Sequence, residues 1–169
     1  MNHIETFDDH IDLRVLAHDL SALLIKPENS DIAEEFPGSV SRYTGDIETV
    51  RSNLAEALAD CKPGIRQQFI AFSGTQSVGM SVIRFADSIP RGIQDTWPNV
   101  SGFICHPFRS QGLGGLSLAA RLAVVRDQFG GDAWTQVKKT NVPSNRMVSH
   151  AGFVKTSETD THIIYAYHA

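Results

Sequence analysis

Seven consecutive residues, Arg109-Ser110-Gln111-Gly112-Leu113-Gly114-Gly115, carry the clearest chemical signal in this sequence. They lie between an apolar run that reads as a strand, Val100–Cys105, and one that reads as a helix, from about Leu116 to Phe129. The first amide N–H groups of a helix lack intrahelical partners and sit at the positive end of its dipole. Glycine lets the backbone take positive φ and lets a ligand approach closely. Together these features make an anion nest suited to a pyrophosphate, with Arg109 adding a positive charge. The plainer reading is a flexible strand-to-helix turn. Two other nucleotide signatures fail: the loop lacks the G-x-G-x-x-G spacing, and no Gly-Lys-Ser/Thr follows it.

The elements that must position this loop follow from pattern. Leu118, Leu122, Val125 and Phe129 form one stripe of the helix after it, and Gly130-Gly131 ends that helix. Ala133–Val137 reads as a strand, and Pro143 opens a further helix that Gly152 closes. Phe153–Lys155 and His162–Tyr167 are the last strands. Upstream, Gln67–Ser73 and Gln76–Phe85 flank Gly74-Thr75 as a β-hairpin. Ala86–Trp97, with Pro90 and Gly92, is a loop. The first part of the chain reads as a strand at Ile11–Ala17 and a short helix from Asp19. A loop at Pro27–Ser41 and a helix from Thr44 or Asp46 to Cys61 follow. Hairpins with one strand–helix–strand crossover, Val100 to Val137, predict an α+β fold.

Composition narrows the function. A chain of 169 residues is expected to form a single domain, residues 1–169. The net charge of −4 offers no basic surface for nucleic acid or anionic lipid. Cys61 and Cys105 do not make a disulfide framework, and no apolar run is long enough to span a membrane. The polar, acidic start lacks a signal peptide's pattern. A cytoplasmic location is expected. The seven histidines show no metal-ligand spacing, so no metal is expected.

Arg109-Ser110-Gln111-Gly112-Leu113-Gly114 resembles the R/Q-x-x-G-x-G/A signature of the GNAT N-acetyltransferases. Asn141-Val142-Pro143-Ser144, continuing to Gly152-Phe153, is similar to that family's closing N-x-x-S…G-F helix. The branch it most resembles includes ribosomal-protein N-terminal acetyltransferases. The resemblance covers Val100 to about Phe153 and reaches the first half only through element order. It implies a central twisted mixed sheet, mostly antiparallel, splayed near Cys105, with helices on both faces. It also implies acetyl-CoA as co-substrate, held at its pyrophosphate by the N–H groups of Ser110, Gln111, Gly112, Leu113, Gly114 and Gly115. Phe103, Ile104 and Cys105 would pair with the pantetheine arm and offer an N–H to the thioester oxygen. Asn141 would bond the arm, and Ser144 would lie close to it. The acceptor would be a small-molecule or peptide amine, selected by Pro27–Ser41, Ala86–Trp97 and the last strands. A homodimer is a further expectation.

Two features depart from the family. Pro107-Phe108-Arg109 is one residue shorter than usual, and Val148 stands where another branch has a proton-donating Tyr. The acid would then be Ser144, another group or water. An amine with pKa near 10 needs about 4 kcal/mol to lose its proton at neutral pH, so a base is required. Val100–Cys105 carries no carboxylate, which leaves Asp95 and His106 as candidates. Their plainer readings are a solvated loop carboxylate and a turn residue. Cys105 reads as a small buried hydrophobe, because it and His106 would point to opposite faces of an extended chain. His150 reads as a partner for its helix's carbonyl end. Tyr165 and Tyr167 share a strand face, as packing residues or as a substrate wall. A domain that binds acyl-CoA as a regulatory ligand without turnover is the alternative.

Overall fold

The computed structural model describes residues 2–6, 66–73, 76–85 and 88–169. The forecasts for Ile11–Ala17, Asp19–Leu24, Pro27–Ser41 and Thr44–Cys61 lie outside these residues. The described strands are Asn2–Thr6 (β1), Arg66–Ser73 (β2), Gln76–Arg84 (β3), Asn99–Ile104 (β4), Ala133–Lys138 (β5), Val154–Glu158 (β6) and His162–Tyr167 (β7). They form one seven-stranded sheet in the order β1-β2-β3-β4-β5-β7-β6. Every neighbouring pair is antiparallel except β4 and β5, which run parallel. The sequence expectation of a mixed, mostly antiparallel α+β sheet is met.

Two helices, Leu113–Phe129 (α1) and Val142–His150 (α2), follow β4 and β5 respectively. Leu118, Leu122 and Val125 of α1 are buried with Val148 of α2 against Ile83, Val100, Ala133, Val137 and Tyr165 of the sheet. Burying each such aliphatic side chain contributes about 1.5–3 kcal/mol. Both described helices therefore cover one face. The opposite face gathers Trp97, Trp134, Ile164 and Ala166, with Ile93 from the turns before β4 packed against them. Helices on that second face are not found among the described residues.

Helix boundaries follow local chemistry. Gly130 takes φ 83°, and the N–H of Gly131 bonds the carbonyl of Val125 at 3.2 Å, closing α1 where the glycine pair predicted. The start of α1 lies one turn earlier than the pattern indicated, at Leu113 rather than Leu116. Two glycines in the first turn hide it from a reading based on propensity. No helix among the described residues is long and apolar enough to cross a membrane.

Candidate active site

The two parallel strands diverge. β4 and β5 are paired only at Asn99 and Trp134, where the N–H of Trp134 donates to the carbonyl of Pro98 at 3.1 Å. From Val100 onward a gap opens between them, while β4 stays bonded along its whole length to β3. Each of the two strands ends in a helix N-terminus, α1 after β4 and α2 after β5. Ligands of parallel strands bind outside their carboxyl ends, and this fold directs two helix N-termini toward that region.

Strand parity says which main-chain groups face the gap. The N–H of Cys105 bonds the carbonyl of Val78 at 2.9 Å, so Cys105 and Phe103 direct their main-chain groups at β3. Gly102 and Ile104 direct theirs at the gap. Of the predicted trio Phe103, Ile104 and Cys105, only Ile104 therefore offers its N–H to a ligand between the strands, and Gly102 joins it. The register of the strand end before Pro107 is thereby fixed.

Beyond Ile104 the chain reverses through a 3-10 turn, His106–Phe108. Arg109 reaches back, its Nε donating to the carbonyl of Ile104 at 2.8 Å. This fixes a cation at the mouth of the gap. Ser110 at φ 62° and Gly112 at φ 77° are both left-handed. A non-glycine residue held there costs on the order of 1 kcal/mol, the kind of strain that collects at ligand sites. Gln111 braces the loop through its Nε2, which donates to the carbonyl of Pro107 at 3.3 Å. Gly112 caps α1 without any side-chain hydrogen bond, and the first turn holds no acidic residue. The N–H of Leu116 is taken by the carbonyl of Gly112, so Leu113, Gly114 and Gly115 carry the donors of the opening turn.

The three glycines of this loop have three different reasons. Gly112 supplies positive φ. A Cβ on Gly114 would stand 3.0 Å from Sδ of Met147, so Gly114 lets α1 approach α2. A Cβ on Gly115 would meet nothing within 4 Å, which leaves open space beside the helix N-terminus.

On the far side of the gap, Asn141 caps α2, its Oδ1 accepting from the N–H of Ser144 at 3.2 Å. That places Ser144, half-buried, in the first turn of α2. Arg109–Gly115 and Asn141–Ser144, separate in sequence, thus stand at the ends of the two diverging strands. Asp95 is not brought to them. It is exposed in the turns before β4, at the bonded end of the strand pair. The length of β4, about 17 Å at roughly 3.3 Å per residue, separates it from the loop. His106 is exposed and Cys105 is fully buried, as the alternation predicted. Nδ1 of His150 lies 2.7 Å from the carbonyl of Arg146, at its helix's carbonyl end. Val148 is 3% exposed, within the core cluster that includes Leu122, Val125 and Phe153.

Sequence reading missed Gly102 and Arg121. Arg121 is 5% exposed, and burial pulls its guanidinium down to about 10. A glycine inside an apolar strand signals close backbone approach. An arginine at i+3 from Leu118 on a buried stripe was equally visible.

No protein-family model matches the chain, and no curated protein does. Solved structures do. The chain is 13% identical to "RimL- Ribosomal L7/L12 alpha-N-protein acetyltransferase in complex with Coenzyme A", at TM-score 0.73 over 98% of this chain and 92% of that one. The fold is that of the GNAT acetyltransferases. Ribosomal-protein-S5-alanine acetyltransferase from Vibrio fischeri shares the GNAT fold at TM-score 0.69 and 10% identity, over 98% of this chain and 91% of that one. RimJ of Mycobacterium smegmatis, solved with a CoA disulfide, superposes at TM-score 0.68 and 16% identity, covering 98% and 80%.

Proposed function

We propose that this protein is an acyl-CoA-dependent N-acyltransferase that passes a short acyl group directly to a primary amine. The observation that carries this reading is the gap between β4 and β5, flanked by the α1 N-terminus and its left-handed loop. The N–H groups of Leu113, Gly114 and Gly115, with Arg109 beside them, would hold the pyrophosphate. Gly102 and Ile104 would bond the pantetheine arm across the gap, as a strand of β5 would have done. One of their N–H groups would then face the thioester oxygen. Such a donor contributes about 3–4 kcal/mol to the oxyanion that forms as the amine attacks. Ser144 and Asn141 would line the other wall. RimL and RimJ, whose folds this chain shares, were solved with coenzyme A and with a CoA disulfide respectively.

Proton movements are the less furnished part of the site. The strand bordering the gap carries no carboxylate, and Val148 is buried. His106 is the candidate base nearest the loop in sequence, Ser144 the candidate acid, with water as a relay for either. The same two facts favour a second reading, a domain that binds acyl-CoA for regulation and does not turn it over.

Calorimetric titration with acetyl-CoA, on the native chain and on Gly115→Glu, tests the site. Micromolar binding that the variant loses supports it, and no binding by the native chain sinks it. Thiol release on adding amines of varied structure then separates transferase from binding module.

A further inference from the structure

Arg121 belongs to the buried stripe of α1, one turn from Leu118 and beside Leu122 and Val125. Its Nε donates to the carbonyl of Ser117 at 3.2 Å. No carboxylate among the described residues pairs with it. An arginine has five N–H donors, and this bond accounts for one. Nη1 stands 3.0 Å from where a Cβ on Gly102 would be, so the guanidinium occupies the place of a missing side chain on β4. The neighbouring hydroxyls of Ser81 and Ser117 are bonded to each other at 2.5 Å.

A buried cation with no counter-charge among the described residues is destabilising, and the stripe around it is otherwise aliphatic or small. Packing alone would favour leucine or methionine at this position. The cost is offset if a ligand brings the anion. Gly102 is the link, because its main chain faces the gap while its bare α-carbon faces Arg121 and the carbonyl of Met80. A thioester whose carbonyl lies at Gly102 would place its acyl chain next to the guanidinium.

We propose that Arg121 is a specificity residue that binds a terminal carboxylate on the acyl group, so that the preferred donor is the CoA thioester of a short dicarboxylic acid. This rests on the gap being the CoA thioester site. In the transfer, the amine nitrogen forms a C–N bond to the thioester carbon as the C–S bond breaks. The sulfur leaves with the bonding pair and ends as a thiol with the proton the amine gives up. The distal carboxylate is unchanged and stays in charge-assisted hydrogen bonds to Arg121. An acceptor amine could carry the same carboxylate chemistry. The acyl group is favoured because Arg121 lies beneath β4 in the core rather than on an exposed rim.

The experiment is calorimetric titration of the full chain with acetyl-CoA and with succinyl-CoA, for the native protein and for Arg121→Met. The native chain is expected to bind succinyl-CoA at least about tenfold more tightly. The variant should bind the two alike and melt no lower than the native chain. Equal affinity of the native chain for both thioesters overturns the carboxylate site and leaves the CoA reading standing. Binding of neither overturns both. A variant that melts lower and loses both thioesters equally assigns Arg121 a packing role and overturns the proposal. Initial rates with amines bearing or lacking a carboxylate close the test. A preference that follows the acceptor alone overturns the acyl assignment.

Discussion

The hydroxyl of Tyr165 donates to Oδ1 of Asn145 across 2.9 Å. Nδ2 of the same Asn145 donates to the carbonyls of Lys138 and Asn141, each at 2.9 Å. One amide side chain thereby joins β7, the end of β5 and the first turn of α2. The wall of the gap that carries Asn141 and Ser144 is held by this junction. Of the two readings of Tyr165, packing is the one its burial and its bond support.

Tyr165→Phe should therefore act on the site through position. It leaves Oδ1 of Asn145 without its donor at a half-buried place, which lowers stability by about 1–2 kcal/mol. Urea unfolding measures that loss, and calorimetry with acetyl-CoA should show a several-fold weaker complex. Native-like stability in the variant would mean that water replaces the hydroxyl, and that the junction does not depend on Tyr165.

The glycines of the loop separate binding from folding. Gly115→Glu enters open space, replaces a helical glycine and puts an acid in the first turn of α1. All three changes are neutral or favourable to the helix, by about 0.5–1 kcal/mol. Its melting temperature should equal or exceed that of the native chain, while CoA affinity falls by roughly tenfold or more. Gly114→Val instead collides with Met147 and should lose stability as well. If Gly115→Glu binds CoA normally, the pyrophosphate is not at this helix end.

What the sequence revealed and what it concealed have physical reasons. The glycine loop is a short-range feature, written in consecutive residues, and it stands between β4 and α1 as the pattern indicated. Helix stripes repeat within a few turns, and Leu118, Leu122 and Val125 were correctly placed. The first turn of α1 was missed because Gly114 and Gly115 are there for space, against the helix propensity. The gap was implied only by family resemblance, since strand pairing is non-local. Which amides line it depends on one bond between residues 27 apart, Cys105 to Val78. A one-residue slip in that register reverses every assignment.

Val148→Tyr addresses the missing acid directly. The position is buried among Leu122, Val125, Phe153 and Tyr165, so a tyrosine there has no path to a leaving sulfur. Overpacking should cost about 1–3 kcal/mol, with no gain in turnover. Thermal unfolding and a thiol-release assay check the two halves. Increased turnover would overturn the placement of this residue in the core.

Arg121 gives the clearest dependence on pH. Burial holds its guanidinium well below the ordinary arginine range, at about 10 in the fold. The folded state therefore binds this proton less readily, and unfolding takes a proton up between that value and the ordinary range. The destabilisation is fully present below about pH 10 and is relieved as pH rises through 10 toward the ordinary arginine range. Its size is about 3 kcal/mol. Arg121→Met removes the whole effect, so the variant should be the more stable protein at neutral pH. Its advantage over the native chain should shrink between neutral pH and about pH 10.5. Urea unfolding of both proteins across that range measures the gap. A gap that stays constant would show that Arg121 keeps its proton through some contact other than the bond to Ser117.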